Sequence, residues 1–214
     1  AIADQRVKIL SNAGGVNPRA CGQAVQALVK AAGLDLKVAV VEGDDLLARA
    51  ASFGAVREMF SGESFPPLEK LASINAYLGA FPIANALERG ADIVITGRGV
   101  DSAVTLAACI HAFGWKRDEH DLLAAGSLCG HVLECGAQAT GGNFTDWQSV
   151  AETLWNVGYP IAEVSADGVF HVSKPKDTGG AVTVGTVGEQ MLYEIGDPQA
   201  YMLPDVACDF SQVK

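Results

Sequence analysis

No run of apolar residues in this chain approaches the roughly 20 that a helix needs to cross a bilayer, which excludes a helical membrane span. Basic side chains are scarce. Fifteen Lys and Arg stand against 25 Asp and Glu, a formal net charge of −10, so nucleic acid and anionic membrane surfaces are not expected partners. A small anionic molecule stays open, because a local cluster can overrule net charge. The sequence also has no P-loop, no dinucleotide fingerprint and no Gly-x-Ser-x-Gly elbow. Its five cysteines, Cys21, Cys109, Cys129, Cys135 and Cys208, are odd in number and lack disulfide or zinc spacing, so reduced thiols in a cytoplasm and no metal site are expected. Internal repeats and low-complexity segments are missing as well.

What is present is the grammar of a parallel α/β sheet. Val7 to Leu10 reads as a short strand, and Ser11 to Pro18 as a glycine loop in which Asn17 caps a helix and Pro18 opens it. That helix should stop near Gly33. Leu36 to Val41 is a second apolar strand, and Gly43-Asp44-Asp45 leads to a helix from near Leu46. Phe53 to Pro67 breaks the pattern as a long loop or lid, and helical periodicity returns over Leu68–Tyr77 and Phe81–Glu88. Ile93 to Ile95 suits a strand covered on both faces. Gly97 and Gly99 follow it, with Asp101 as an N-cap for Ser102–Phe113 and Gly114 as the stop. Asp121–Gln138 has helical periodicity despite Gly126, Gly130 and Gly136, which implies close packing or close ligand approach.

The last third changes character. Ile161–Ala166 and Val169–Ser173 flank Asp167-Gly168 as a hairpin with a two-residue turn. Val182–Val184 is a candidate strand, Thr186 to Glu189 fits a capping box for a helix ending at Gly196, and Asp197 onward reads as an extended tail. The fold class expected is α/β, a Rossmann-like three-layer arrangement of a parallel or mixed sheet with helices on both faces, plus this hairpin. The 214 residues, 49% hydrophobic with 24 glycines, fit one packed domain whose hairpin-containing part spans 160–214.

The densest chemical constellation runs from Cys129 to Asn143. On a helix His131, Glu134 and Cys135 lie three and four residues apart and share a face, enough for a proton-transfer pair or an activated thiol. A histidine and two cysteines on a glycine-rich helix are nonetheless more often packed than catalytic. Thr140-Gly141-Gly142-Asn143 and Thr178-Gly179-Gly180 are two hydroxyl-plus-glycine loops of a type that presents backbone N–H groups to an anion. Gly-Gly is also an ordinary turn. Asn12, Gly14, Gly15, Asn17, Gly97, Arg98, Asp101 and Ser102 complete the candidate ligand loops, since ligands gather outside the carboxyl ends of parallel strands. Arg98 can clamp a carboxylate or phosphate, and a structural salt bridge would explain it equally well.

Three stretches together resemble the acyclic terpene utilisation family, the AtuA type. They are Asn12-Ala13-Gly14-Gly15-Val16-Asn17-Pro18, then Gly90 to Arg98 with Val100-Asp101-Ser102-Ala103, and Gly130-His131-Val132-Leu133-Glu134-Cys135-Gly136 through Gly142. Thr178-Gly179-Gly180, Gly185-Thr186-Val187 and Leu192-Tyr193-Glu194 extend the resemblance over nearly the whole chain. It implies breakdown of acyclic terpenes alongside enzymes acting on CoA thioesters, and no single reaction. It also implies a further strand ahead of Ala1, so the chain is expected to be a central piece of a longer protein. The function expected is therefore a catabolic enzyme, a lyase, hydratase or hydrolase on an anionic acyl compound, with a CoA moiety as part of the substrate and no further cofactor required. The alternative is a non-catalytic binding or assembly subunit. A homo-oligomer is the base-rate expectation.

Overall fold

A computed structural model describes residues 2–213. The chain divides into two compact units. One runs to Leu78 and resumes over Asn85–Gly99. The other comprises Gly79–Ala84 and the chain from Val100 onward.

The first unit is built on a three-stranded parallel sheet of order β1-β3-β2, with β1 at Ile9–Ser11, β2 at Val38–Val41 and β3 at Ile93–Thr96. Ile93 pairs with both Ile9 and Val38, so the strands run in register from the same end. Every residue of β3 is buried, as a strand flanked by two others and covered on both faces must be. After the short helix α1 (Ile2–Gln5), α2 (Pro18–Ala31) follows β1, capped by the Asn17 side chain accepting the Ala20 N–H at 3.0 Å. Val29 of α2 packs on Ile93 and Ile95, with Cys21 and Val25 beside them. Gly22 gives α2 its closeness to the sheet: a side chain there would occupy the place of a Val40 methyl.

The expected helix from Leu46 is a 3₁₀ turn over Leu47–Phe53, and only Leu68–Lys70 of the expected Leu68–Tyr77 helix is helical, again as 3₁₀. The physical reason is long-range pairing. Leu46 N–H donates to Ile74 O and Ala76 N–H to Asp44 O, both at 2.9 Å, so this stretch runs extended beside residues 44–46. Tertiary hydrogen bonds override the local apolar spacing.

Helix α3 (Phe81–Glu88) lies where periodicity and Pro82 place it. In the second unit, α4 (Ala103–Phe113) packs on α5 (His120–Glu134), and α4 ends on Gly114 in the left-handed conformation. Asp101 is not the N-cap of α4. Ser102 holds that place with helical dihedrals and no side-chain cap, and the turn closes instead from Ala103 N–H to Val100 O at 2.9 Å. Strands β4 (Ile161–Val164) and β5 (Phe170–Ser173) form the expected antiparallel hairpin. Its connection is longer than two residues: Ser165 N–H donates to Val169 O, and only Gly168 has a positive φ, of 85°.

Val182–Val184 is not a strand, because Thr183 caps α6 (Val184–Leu192). The capping box lies one turn before the expected one. Thr186 N–H donates to Thr183 Oγ1 at 3.1 Å, and Thr183 N–H donates to Thr186 Oγ1 at 2.9 Å. Glu189 is drawn away to accept the Thr145 N–H at 2.8 Å. The helix ends before Gly196, and the tail forms a second small hairpin, β6 (Tyr201–Met202) with β7 (Ala207–Cys208).

Candidate functional site

In the first unit, the loops after β1, β2 and β3 gather at the carboxyl end of the sheet. Gly14 is pressed against Thr96 and Pro18, where a Cβ would lie 2.6 Å from Pro18 Cβ, and Gly15 turns the chain at a φ of 49°. Asn12 accepts the Gly15 N–H through its carbonyl at 3.3 Å. Gly97 meets the buried carboxylate of Asp44, which ties three segments together: it accepts the Arg98 N–H at 2.8 Å and the Asn75 amide at 2.9 Å. Sequence reasoning used Asp44 only as a helix lead-in, although its place in the glycine loop after β2 was the signal. The Arg98 guanidinium lies 4.8 Å over the Tyr77 ring and donates to the Tyr77 hydroxyl at 2.6 Å. Between these loops lies a cavity of about 270 Å³, lined by Asn17, Glu42, Asp44, Asp45 and Asn75 among others. Glu42 there is paired with Arg19 at 2.7 Å, and Asp44 and Asp45 oppose the anion preference of the α2 N-terminus.

The second unit holds His131, Glu134 and Cys135 at the end of α5. Gly130 brings this end against α4, since a Cβ there would lie 2.5 Å from Ser102 O. Asp101 and Ser102 thereby border the same end of α5. His131 is 4% exposed. Its Nδ1 faces Glu134 Oε1 at 4.0 Å, while its Nε2 is buried with no hydrogen-bond partner among the described residues. Gln190 of α6 is fully buried and donates from Nε2 to His131 O at 2.9 Å. Tyr201 of β6 sets its ring edge-on to the imidazole, with centroids 6.1 Å apart.

The electrostatics follow from burial. Desolvation raises the Glu134 carboxyl above the usual carboxylate range. The thiol of Cys135, donating to it at 3.2 Å, pulls the other way, and Asp101 and Glu194 push it up further. Desolvation and the Glu134 carboxylate hold the Cys135 thiol up, to about 11. The Tyr201 phenol is raised by burial and then by Glu134, Asp101 and Glu194. Glu194 itself adopts a φ of 59°, a strained value for a residue with a side chain. Sequence reasoning missed Gln190 and Tyr201. A glutamine four residues after Thr186, on the same face of α6, was the available signal for the first.

The two Thr-Gly-Gly loops also meet in this unit, and they meet each other. Ala181 N–H donates to Thr140 O at 2.8 Å, and Thr140 Oγ1 donates to Gly158 O at 2.6 Å. The Gly141, Gly142, Gly179 and Gly180 amides all donate within the protein, to Gln138, Ala137 and Asn156 carbonyls and the Thr153 hydroxyl. Thr178 Oγ1 donates to Pro175 O, and Asn143 follows the Gly142 turn. These loops pack backbone on backbone, which is what their glycines permit.

Among the described residues, no three His, Cys, Asp or Glu side chains are arranged to hold a metal ion, and no helix is long and apolar enough to cross a membrane. The family model described as acyclic terpene utilisation family protein AtuA matches residues 1–214. The chain belongs to this family. No curated protein and no solved structure is significantly similar to it. The family relationship therefore carries a link to acyclic terpene utilisation, and the chemistry rests on the site.

Proposed function

We propose that this family member is an enzyme of small-molecule catabolism in which His131 carries a proton to and from an acyl compound, with Glu134 as its partner. The observation that carries the reading is the buried imidazole with one nitrogen facing a carboxyl group of raised proton affinity and the other nitrogen unspent. A buried polar atom left without a partner costs about 1–3 kcal/mol, a cost that a reacting group would relieve. Perturbed groups of this kind concentrate at catalytic centres. Cys135, held as a thiol, serves as a hydrogen-bond donor to Glu134, and the reaction class is a lyase, hydratase or hydrolase. The substrate is an anionic acyl compound, carried as its CoA thioester, whose charged end binds away from the carboxylates around His131. The same reading extends to the architecture: a fully buried central strand supports a Rossmann-like, three-layer sheet with helices on both faces.

The test has two stages. A thermal-shift screen against CoA, acyl-CoA esters and branched carboxylates identifies a ligand, because binding to the native state raises Tm. His131→Gln should then keep that shift and lose at least about a hundredfold in turnover, the range of a general acid or base. Turnover within threefold or so of the parent would move the assignment to the alternative, a binding or assembly subunit. The internally spent amides of the Thr-Gly-Gly loops are the observation that favours that alternative.

A further inference from the structure

We infer that Gln190 is a positioning residue for His131: it fixes the last turn of α5 so that the imidazole and the Glu134 carboxyl keep their present separation. That role rests on the acid–base reading of the pair. Helix α5 ends at Glu134, so the carbonyls of its last turn, from His131 on, lack helical partners. A further turn of helix would bring the Cys135 N–H to His131 O. That N–H turns to Leu133 O instead, and the Gln190 amide donates to His131 O in its place, at 2.9 Å.

Glutamine is a costly residue to bury there. It is fully enclosed, and its Oε1 meets no partner among the described residues, a cost that an apolar side chain of similar length would avoid. What such a side chain lacks is the bond to His131. The other end of the tie is equally fixed. Thr186, one turn earlier on the same face of α6 and also buried, donates to Ala181 O at 3.1 Å, and Ala181 N–H donates to Thr140 O at 2.8 Å. The two Thr-Gly-Gly loops thereby anchor α6, and α6 carries Gln190 to the end of α5.

The separation so held is a sensitive one. His131 Nδ1 lies 4.0 Å from Glu134 Oε1, and the same Oε1 accepts the Cys135 thiol at 3.2 Å. A direct N–H···O bond needs roughly 2.7–3.2 Å, so a small movement of the turn decides whether imidazole and carboxyl bond. Releasing the turn lets Nδ1 close on Oε1 and admits water, and both favour the protonated ring. Around the imidazole stand Glu134 and Cys135 at the end of α5, Asp101 ahead of α4, Glu194 beyond α6 and Tyr201 on β6. Exchanging Gln190 for another uncharged residue alters none of these charges, so a changed imidazole reports its placement.

Gln190→Met keeps the length of the side chain and loses the donor. In the full chain the His131 imidazole resonances, assigned by their loss in His131→Gln, are followed through a pH titration in the parent and the variant. The midpoint should rise by at least about half a pH unit. In turnover of an acyl-CoA ester, kcat should fall about ten- to a hundredfold with KM within about twofold, since Gln190 places the reacting group without meeting the substrate. A midpoint that stays or falls, or a loss confined to KM, overturns the inference. Should Gln190→Met fail to fold, Thr183→Ala decides in its place, because it removes the exposed cap that begins α6. It should raise the midpoint by less, and an unchanged midpoint overturns the inference there too. The two readings fail separately. Turnover that survives His131→Gln, beside a midpoint that rises in Gln190→Met, defeats catalysis and leaves positioning standing. Turnover lost in His131→Gln, beside a Gln190→Met variant that matches the parent in midpoint and kcat, defeats positioning alone.

Discussion

The state of Cys135 follows from its neighbour, one residue away. Its thiol donates to Glu134 Oε1, and burial together with that carboxylate lifts it to about 11. At pH 8 a group of that affinity is ionised in only about one molecule in a thousand, and the thiolate is the reactive form. Iodoacetamide should therefore label Cys135 in the native protein far more slowly than free cysteine, as read by mass spectrometry of the Cys135 peptide over time. Glu134→Gln removes the negative charge and leaves an amide that can donate to sulfur, so the thiol affinity should fall and labelling should quicken several-fold. Equal rates in the two proteins would show that burial alone protects the thiol. The buried Cys129 is the internal comparison: desolvation and the nearby Cys109 hold it at about 12, and Glu134 takes no part in that, so the substitution should not change its rate.

At the level of the elements, the packing of α4 on α5 depends on a glycine that the helix would rather not contain. Gly130→Ala adds a Cβ 2.5 Å from Ser102 O and 2.7 Å from Ser102 Cα, both backbone atoms that can yield only if the helices separate. The expected cost is about 1–3 kcal/mol, read as a lower urea midpoint with an unchanged m value. Gly188 in α6 has no atom within 4 Å of its added Cβ, so Gly188→Ala should raise the midpoint through helix propensity, by about 0.5–1 kcal/mol. Similar losses for both would show that the α4–α5 contact is not the reason for Gly130. The same contrast explains what the sequence made legible. Asn17-Pro18, the apolar run of β3 and Gly114 carry their signals within a few residues, and each element stands where those signals put it. The stretch Leu68–Tyr77 was misread because its partners, Asp44 and Leu46, lie in a distant part of the chain. Within the site, His131, Glu134 and Cys135 were legible from helical spacing, whereas Gln190 reaches His131 across 59 residues and only the fold brings it there.

Across the whole molecule, a net charge of −10 makes self-repulsion the leading long-range term. Acidic groups are also concentrated locally, with Glu42, Asp44 and Asp45 around the sheet-end cavity and Asp101, Glu134 and Glu194 about the end of α5. Among the described residues, the opposing ion pairs Lys8–Asp92 at 2.8 Å and Arg19–Glu42 at 2.7 Å are partly or largely exposed, and water screens pairs of that kind strongly. Salt screens both, with a Debye length that shrinks from about 30 Å at 0.01 M to about 10 Å at 0.1 M, so it weakens the many distant repulsions more than the few close attractions. Raising sodium chloride from about 0.01 M to about 0.3 M should therefore increase Tm by a few degrees, most of it below about 0.1 M. A calorimetric salt series checks this. A Tm that falls over the same range would mean that close ion pairs outweigh the net charge.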